Sequence, residues 1–518
     1  MPPVAQQRFA SKPREGGERQ AVPGPDAFAM LRFTPRLDVL GSHKTHRNPS
    51  AASAPGLPLA RRLLRKLSKM KIAFIGAGST IFMKNIVGDC LHFPALASAT
   101  FALMDIDRQR LDESALVARK MIRAMGAAAT VEATMDQREA VSGADFVVTA
   151  FQIGGYKPCT VTDFDIPNAH GLQQTIADTL GVGGIMRGLR TVPVLWKLAE
   201  DMLALCPDAL LLQYVNPMAI NTWALSAKYP ELKQVGLCHS VQNTVEELAR
   251  DLDIPKDSVR YRVGGINHMA FFLRLEQETA EGLTDLYPRL REGYRAGRIP
   301  LESSWNPRCP NLIRYEVMEH LGYFCTESSE HFAEYVPWFI KRHRPDLIET
   351  WRIPLDEYPT RCEEQIADWA AQAEAFRAAD NIEVAKSHEF AAEIMNAVVT
   401  DTPTTIYGNL ANAGQLPRLP PGAAVETPCL VDARGVQPVV VEDIPKQLIA
   451  LMRTNVNVQE LVVEALMTEN VDHIYHAAML DPHTGSELDL RQIRALVSDL
   501  LAAQADWNPD WARPRVAA

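Results

Sequence analysis

The sequence predicts an α/β fold, in which a Rossmann-type doubly wound parallel sheet is followed by a second, mixed α+β domain. Three observations predict it. An apolar stretch enters a glycine turn at 71–80, further apolar stretches recur with helical patterns between them, and this pattern changes after about residue 265. Strands that alternate with helices are typical of parallel sheets covered on both faces.

Length and composition favour a globular protein with more than one domain. A chain of 518 residues exceeds the size at which one core normally divides, so two or three domains are expected. The hydrophobic content of 47% and the charged content of 22% are typical of soluble proteins, and no apolar run reaches transmembrane length. We divide the chain into an extension over 1–69, a first domain over 70–265 and a second domain over 266–505.

Residues 1–69 differ in composition from the rest. They hold 13 of the 53 Lys and Arg residues but only 4 of the 63 Asp and Glu residues, and they are rich in Pro, Ala, Gly and Ser. Such a segment is expected to be disordered. Because Met70 stands directly before the first strand, we interpret the extension as dispensable or as the product of an upstream start. A transit peptide and a short basic helix over 59–69 are the alternatives.

Charge and cysteine usage bear on partners and compartment. Without the extension the net charge is −19, which disfavours a nucleic-acid partner. The eight cysteines include no CxxC pair, so reduced thiols are expected. No signal peptide with a cleavage site is recognisable, and we expect a cytoplasmic protein.

The first strand and its turn have the pattern of a dinucleotide site. "KIAFIGAGST" (71–80) is an apolar strand that enters a glycine turn and then a helix. Gly76 and Gly78, followed by Ser79 and Thr80, let the backbone close on a pyrophosphate at the helix N-terminus. Ile81 occupies the position of the usual third glycine, so this motif is incomplete by itself.

The second strand strengthens this interpretation. "TFALMDID" (100–107) ends in Asp105, 27 residues after Gly78. A carboxylate at this place accepts hydrogen bonds from the adenosine ribose and disfavours a 2′-phosphate, so NAD is expected rather than NADP. The alternative is that Asp105 caps the following helix.

Further strands direct polar residues to the same edge of the sheet. They are "ADFVVTAF" (144–151), "DALLLQYVNP" (208–217) and "KQVGLCHS" (233–240), with a helical pattern over 184–206. Ligands of such sheets collect at the carboxyl ends of the strands. Gln152, Asn216 and Cys238 are therefore expected to face the cofactor crevice.

A thiol and an imidazole at this edge suit a divalent transition metal. Cys238 and His239 follow one strand, and His268 follows a glycine pair in "GGINHM". The alternatives are a hydrogen-bonded core histidine and a small buried thiol. A nucleophilic pair of Cys238 and His239 is disfavoured, because adjacent residues of an extended chain point to opposite faces.

Taken together, eight strings resemble the NAD- and manganese-dependent glycoside hydrolase family 4, and within it the α-galactosidases that cleave melibiose. The resemblance runs in order from about residue 70 to about residue 505. It rests on "IAFIGAGST", "LMDID", "IADTLGVGGIMRGLRTVP", "QYVNPMAINTWA", "GLCHSVQ", "GGINHMAFF", "GYFCTESSEHFAEYVPW" and "IYGNLANAGQLPRLPPGAAVETPCLVD".

The resemblance implies an unusual route to glycoside hydrolysis, one that departs from the common pair of carboxylates. NAD+ oxidises C3 of the sugar, a base removes the C2 proton, the aglycone leaves by elimination, water adds, and the hydride returns. A divalent metal, Mn2+, binds the C2 and C3 oxygens, with Cys238 and His268 as protein ligands. The substrate is an α-galactoside, and relatives are homo-dimers or homo-tetramers.

The resemblance also implies the remaining roles. Asn216 contacts substrate hydroxyls, and Asp178, where the family usually has glutamate, lies near the sugar. His239 takes the place of an aspartate proposed as the acid in phosphosugar relatives. For the base, His331 aligns closest to a family tyrosine, with Tyr323 and Tyr335 as rivals. The alternatives are an Asx turn for Asn216, a loop cap for Asp178 and packing for the tyrosines.

Other activities stay open at this stage. An α-glucuronidase or α-galacturonidase of the same family is the nearest alternative. A 2-hydroxy-acid dehydrogenase of the lactate and malate type would share the fold and NAD, but it would accumulate NADH and would not need Cys238 and His268. A non-enzymatic NAD-sensing protein would bind NAD without dependence on a metal.

Overall fold

Six parallel strands form the first half of the sheet in the computed structural model, which describes residues 69–303, 306–379, 382–387 and 389–514. Their order in space is β3-β2-β1-β4-β5-β6, the order of doubly wound dinucleotide-binding folds. The predicted fold class is therefore confirmed, whereas residues 1–68 of the predicted extension over 1–69 lie outside the described residues. The strands are β1 (Lys71–Ile75), β2 (Thr100–Met104), β3 (Thr130–Thr134), β4 (Phe146–Thr149), β5 (Leu210–Gln213) and β6 (Gln234–Gly236).

Helices cover both faces of this half, which explains the continuous apolar runs of its central strands. Phe74 packs into one core cluster and Ala73 into another, because successive side chains of β1 point to opposite faces. The helices are α1 (Thr80–His92), α2 (Arg108–Ala124), α3 (Gln137–Val141), α4 (Val161–Ala169), α5 (Gly181–Leu205), α6 (Met218–Lys228) and α7 (Ser240–Asp251), with a π-helical turn at Gly155–Thr160.

Strand β3 was not among the predicted strands. It lies at the end of the sheet and pairs only with β2 among the described strands, so its side chains are exposed or half-buried. An edge strand of this kind carries no long apolar run, and its sequence "TVEAT" therefore gives a weak signal.

The second half of the sheet continues directly from β6. Its order is β10-β11-β7-β8-β9, with β12 paired to β11. Asn409 pairs with Gly236, and Glu426 pairs with Gly265. The predicted boundary between 265 and 266 falls inside β7, so the division into two domains stays a prediction. The strands are β7 (Val259–Ile266), β8 (Met269–Thr279), β9 (Gly282–Asp285), β10 (Thr404–Ala411), β11 (Ala424–Asp432) and β12 (Gly435–Pro438).

Ten further helices lie after β9 in the described residues, and the longest of them, α14, packs on α5 and α6 of the first half. They are α8 (Tyr287–Arg295), α9 (Leu312–Leu321), α10 (Ser329–Ala333), α11 (Pro345–Trp351), α12 (Glu357–Ala378), α13 (Ala391–Thr400), α14 (Lys446–Thr468), α15 (Asp472–Leu480), α16 (Pro482–Glu487) and α17 (Leu490–Ala503). A short 3-10 helix lies at Lys256–Ser258. Among the described helices, none combines the length and the apolar character needed to cross a membrane.

Candidate active site

In the turn between β1 and α1, the backbone at Gly76 lies close to the backbone of Ala150. Gly76 has a φ of +87°, and a Cβ there would lie 2.4 Å from the carbonyl oxygen of Ala150. A Cβ on Gly78 would lie 2.7 Å from a carboxylate oxygen of Asp105, which accepts a hydrogen bond from the Gly78 N–H at 2.7 Å. Both glycines are thus required by the space around them. The structure brings Asp105 to the glycine turn, and its contact with a cofactor ribose stays a prediction.

The residues that open α1 face two directions. Ser79 is exposed at the N-cap, whereas the hydroxyl of Thr80 is buried and shares a 2.7 Å hydrogen bond with the Ser114 hydroxyl. Ser114 in turn donates to the carbonyl of Ala77. Thr80 therefore braces the turn with its side chain. Ile81 is 40% exposed, so its side chain does not crowd the helix against the sheet.

Cys238, His268 and Glu327 form a cluster at the carboxyl end of β6. Their ligand atoms all lie within 4.8 Å of one another. The Nε2 of His268 is 3.6 Å from Cys238 Sγ and 3.2 Å from Glu327 Oε2. His268 occupies the turn between β7 and β8 with a φ of +64°, a conformation that non-glycine residues rarely adopt. Such strain is typical of functional positions.

The electrostatics of the cluster suit a cation. Burial, together with the charges of Glu327 and Glu426, raises the pKa of the Cys238 thiol. Burial lowers the pKa of His268, which keeps the imidazole neutral, the form that binds a metal. Burial opposes ionisation of Glu327, but His268 and His331 in their protonated forms, together with the Ser328 N–H, hold its pKa below the usual value. A thiol, an imidazole and a carboxylate are donors that divalent transition metals bind.

Tyr335 fixes the orientation of His268. Its hydroxyl lies 3.1 Å from His268 Nδ1, and its ring stacks on the imidazole with an interplanar angle of 22°. This contact leaves Nε2 directed at Cys238 and Glu327. A second residue that holds the other nitrogen of a ligand histidine is the usual arrangement in metal sites.

Asp178 joins the cluster from the other side. Ligand atoms of Asp178, His268 and His331 also lie within 4.8 Å of one another. The Asn216 side chain donates to Asp178 at 3.0 Å, and the Arg187 guanidinium lies 3.6 Å from the same carboxylate oxygen. Burial opposes ionisation of Asp178, but Arg187, then His331 and His268, hold its pKa low. Asp178 and Asn216 are therefore paired beside the cluster, and their substrate-binding roles stay a prediction.

The three predicted candidates for the base have different surroundings. The Nδ1 of His331 lies 2.7 Å from the Ser328 hydroxyl, and the ring meets His268 edge to face at 5.0 Å. The Tyr335 hydroxyl contacts His268 at Nδ1, whereas Cys238 and Glu327 lie at Nε2. Tyr323 packs edge to face on Tyr287 and against two apolar clusters, so the structure does not bring it to Cys238 and His268. Of the three, His331 has the position that suits a base.

His239 lies at the exposed rim of the cluster. It is the N-cap residue of α7, its side chain is 55% exposed, and its Nδ1 is 3.9 Å from Glu389 Oε1. Its position next to Cys238 and open to solvent suits an acid that serves a leaving group.

Sequence patterns alone do not single out two residues of this site. Glu327 stands in "FCTESSEH" (324–331), a string that the resemblance included without assigning the glutamate a role. Arg187 stands in the helical pattern of α5. Glu327 and Arg187 could have been found only because they stand in strings that resemble the family. Their burial beside His268 and Asp178 is decided by the fold.

Two family models match the chain in order: Family 4 glycosyl hydrolase over residues 71–254, and the Family 4 glycosyl hydrolase C-terminal domain over residues 263–484. The chain belongs to glycosyl hydrolase family 4. Among its family 4 relatives, the α-galactosidase of Bacillus subtilis (strain 168) is 44% identical over 441 residues, which cover 85% of this chain and 99% of the relative. The α-galactosidase of Rhizobium meliloti (strain 1021) is 31% identical over 464 residues, covering 86% and 90%.

A solved structure has the same fold as this family 4 chain. It is that of a 6-phospho-α-glucosidase from gut microorganisms in complex with NAD and Mn2+. The TM-score is 0.71 at 20% sequence identity, and the match covers 85% of this chain and 99% of the other. This family 4 chain therefore contains a parallel half-sheet, a glycine turn and the cluster of Cys238, His268 and Glu327.

Proposed function

We propose that this family 4 chain is an α-galactosidase that hydrolyses α-galactosides such as melibiose with NAD and a divalent metal, Mn2+ being the expected ion. The observation that carries the proposal is the cluster of Cys238, His268 and Glu327, which lies at the carboxyl end of the parallel sheet whose first turn is the glycine turn. The identity of 44% with an α-galactosidase supports the substrate. The fold shared with a structure solved with NAD and Mn2+ supports the cofactors.

The residues present fit both groups. At the glycine turn, the N–H groups of residues 76–79 already donate within the protein, that of Gly78 to Asp105, so a pyrophosphate would be held by the N–H groups of the first turn of α1. At the cluster, Cys238, His268 and Glu327 would hold the metal. Because burial keeps the Cys238 thiol protonated, metal binding at this site should release a proton.

The roles of the other residues follow from their positions. When bound, NAD would accept hydride from C3 of the sugar, and the metal would polarise the oxygen at that carbon. Asp178 and Asn216 would bind sugar hydroxyls beside the metal ligands. His331, whose Nδ1 is held by Ser328, would take the C2 proton with Nε2. His239, exposed at the rim, would protonate the leaving oxygen near neutral pH.

Compartment and assembly are part of the same proposal. The eight cysteines all lie in the described part of the chain and none forms a disulfide, which supports a reducing compartment such as the cytoplasm. A homo-dimer or homo-tetramer is expected from the family resemblance, and light scattering on the purified protein tests it.

The test is a dependence on both cofactors. Reduced protein freed of metal by a chelator is incubated with p-nitrophenyl α-galactoside, and NAD+ and Mn2+ are added separately and together. We expect nitrophenol release only with both, without net NADH, and slower release from the α-galacturonide. Release without NAD+ or metal would contradict the proposed chemistry, whereas steady NADH formation would indicate a dehydrogenase.

A pair of cysteine variants connects this activity to the cluster. Cys238→Ser should abolish the response to Mn2+. Cys206→Ser, a buried thiol just after α5 at the opposite edge of the sheet, is the matched control and should keep it.

A further inference from the structure

Glu334 and Tyr335 are neighbours in the chain that reach two different parts of the site. They follow α10, the helix that carries His331. Tyr335 contacts His268 on the metal side, as described above, and its own carbonyl accepts a hydrogen bond from the Asn455 side chain of α14 at 3.2 Å. Both residues are buried, so neither contact depends on an exposed, mobile side chain.

Glu334 reaches the segment that leads into Asp178. One carboxylate oxygen accepts the N–H of Ala177 at 2.8 Å, and the other accepts those of Thr175 at 2.9 Å and Ile176 at 3.2 Å. Three successive backbone N–H groups thus converge on one carboxylate, an arrangement suited to a fixed negative charge. Ala177 has a φ of +51°, so the segment turns in a conformation that needs support.

This carboxylate is buried against the backbone of the segment before Asp178. Both of its oxygens are occupied by backbone donors, and the side chain is 2% exposed. Burial raises the pKa of Glu334 to about 7, against the backbone hydrogen bonds that favour the ionised form. A second tie joins the same two segments, since the Thr175 hydroxyl donates to the carbonyl of Glu330 at 2.6 Å. Residues 330–334 therefore hold the backbone of residues 175–177, which leads into Asp178.

We propose that Glu334 and Tyr335 act as a positioning pair, in which Glu334 holds Asp178 at the sugar and Tyr335 holds His268 at the metal. The pair fixes the distance between the groups that bind the sugar hydroxyls and the group that binds the metal. This inference rests on the proposed function of the site. It assigns neither residue a contact with the substrate.

Substitution of Glu334 and substitution of Tyr335 should change different properties of the site. Gln at 334 offers one acceptor oxygen and an NH2 group that would face a backbone N–H, so the segment before Asp178 must shift. The metal ligands are not held by Glu334, and their affinity should not change. Phe at 335 removes the hydroxyl that orients His268, and loss of such a contact typically costs about 10- to 100-fold in metal affinity.

The experiment compares four full-length proteins: wild type, Glu334→Gln, Tyr335→Phe and Glu487→Gln. Glu487 is the matched control, because it is also buried and accepts a backbone N–H, from Arg342 at 2.6 Å, on α16. Binding of Mn2+ is measured by electron paramagnetic resonance without sugar. Values of kcat and KM for p-nitrophenyl α-galactoside are measured at saturating NAD+ and Mn2+.

We expect Glu334→Gln to lower kcat/KM by about 10-fold or more, with Mn2+ affinity within about 2-fold of wild type. Tyr335→Phe should weaken Mn2+ binding by about 10-fold and regain most of its kcat at high Mn2+. The inference is overturned if Glu334→Gln and Glu487→Gln have equal kinetics. It is also overturned if the Glu334 and Tyr335 variants lose Mn2+ affinity equally.

Two further results keep the test decisive. If Glu334→Gln does not fold, Glu334→Asp replaces it, since a shorter carboxylate keeps the charge but cannot reach all three N–H groups. We expect Glu334→Asp to show the same loss of kcat/KM. Wild-type kinetics of Glu334→Asp would overturn the inference. If wild type itself releases no nitrophenol under any cofactor combination, it is the proposed function that fails, and the Mn2+ measurement alone then decides the role of Tyr335.

Discussion

The carboxylate of Glu327 lies 3.2 Å from His268 Nε2, the same nitrogen that lies 3.6 Å from Cys238 Sγ. One imidazole nitrogen thus faces a carboxylate and a thiol at once. This relationship makes Glu327 a candidate for a third protein ligand, which no local sequence motif indicates.

We predict that Glu327→Gln weakens Mn2+ binding by about 10- to 100-fold. The substitution keeps the shape of the side chain but removes its charge from beside the metal position. Titration of Mn2+ followed by electron paramagnetic resonance measures the effect. An unchanged dissociation constant would remove Glu327 from the ligand set and leave it as a partner of His268 only.

The surroundings of the candidate bases predict different outcomes for two variants. His331→Asn should lower kcat by about 100- to 10,000-fold, the range that loss of a general base typically costs. Tyr323→Phe should stay close to wild type, because Tyr323 packs against Tyr287 and apolar residues. Steady-state kinetics on p-nitrophenyl α-galactoside measure both. The reverse ranking would return the assignment to Tyr323.

The glycine turn gives a prediction about the cofactor. In Gly78→Ala the new Cβ would lie 2.7 Å from the Asp105 carboxylate, so the 2.7 Å hydrogen bond between Asp105 and the Gly78 N–H must lengthen. We expect the dissociation constant for NAD+ to rise by about 10-fold or more, measured by calorimetry. Gly126→Ala is the control, since a Cβ there meets no described atom within 4 Å, although its φ of +61° adds some local strain. Equal NAD+ affinity in wild type and Gly78→Ala would contradict the role of this turn.

Glu426 predicts a pH dependence of stability in the metal-free protein. It is fully buried opposite Asn409, and burial together with the charge of Glu327 raises its pKa to about 8. Because a carboxyl group titrates lower in the unfolded chain, at about 4.5, the folded protein binds one more proton between these two values. The contribution of Glu426 to the free energy of unfolding is therefore present at low pH and is lost as the pH rises through about 8.

Denaturant unfolding of wild type and Glu426→Gln at several pH values checks this sign. The free energy of unfolding of wild type should fall relative to that of the Gln variant as the pH rises from weakly acidic to alkaline. Parallel pH curves for the two proteins would show that Glu426 ionises normally.

Particular residues show how far the sequence predicts this molecule. The strands β1, β2, β4, β5 and β6 were recognisable because buried parallel strands are apolar runs followed by turns. Strand β3 was not, since it lies at an edge. The pairing of Gly236 with Asn409 joins residues far apart in the chain, and no local pattern encodes such a contact.

In the site, too, some features were predictable from the sequence and others depend on the fold. Cys238 and His268 were expected to be ligands because of a family resemblance, and the structure brings them together with Glu327. Tyr335 was considered as a base, yet its hydroxyl faces His268 Nδ1. Whether a buried tyrosine does chemistry or orients a neighbour depends on which atom its hydroxyl meets, and that is decided by tertiary packing.

The central claim is that the reaction proceeds through removal of the C2 proton of the sugar, with His331 as the base. The most direct measurement is hydrolysis of melibiose in D2O with NAD+ and Mn2+, followed by proton NMR of the released galactose. We predict deuterium at C2 of the galactose in the wild-type reaction and none in the residual product of His331→Asn. Galactose that keeps its C2 proton in the wild-type reaction would contradict elimination through C2.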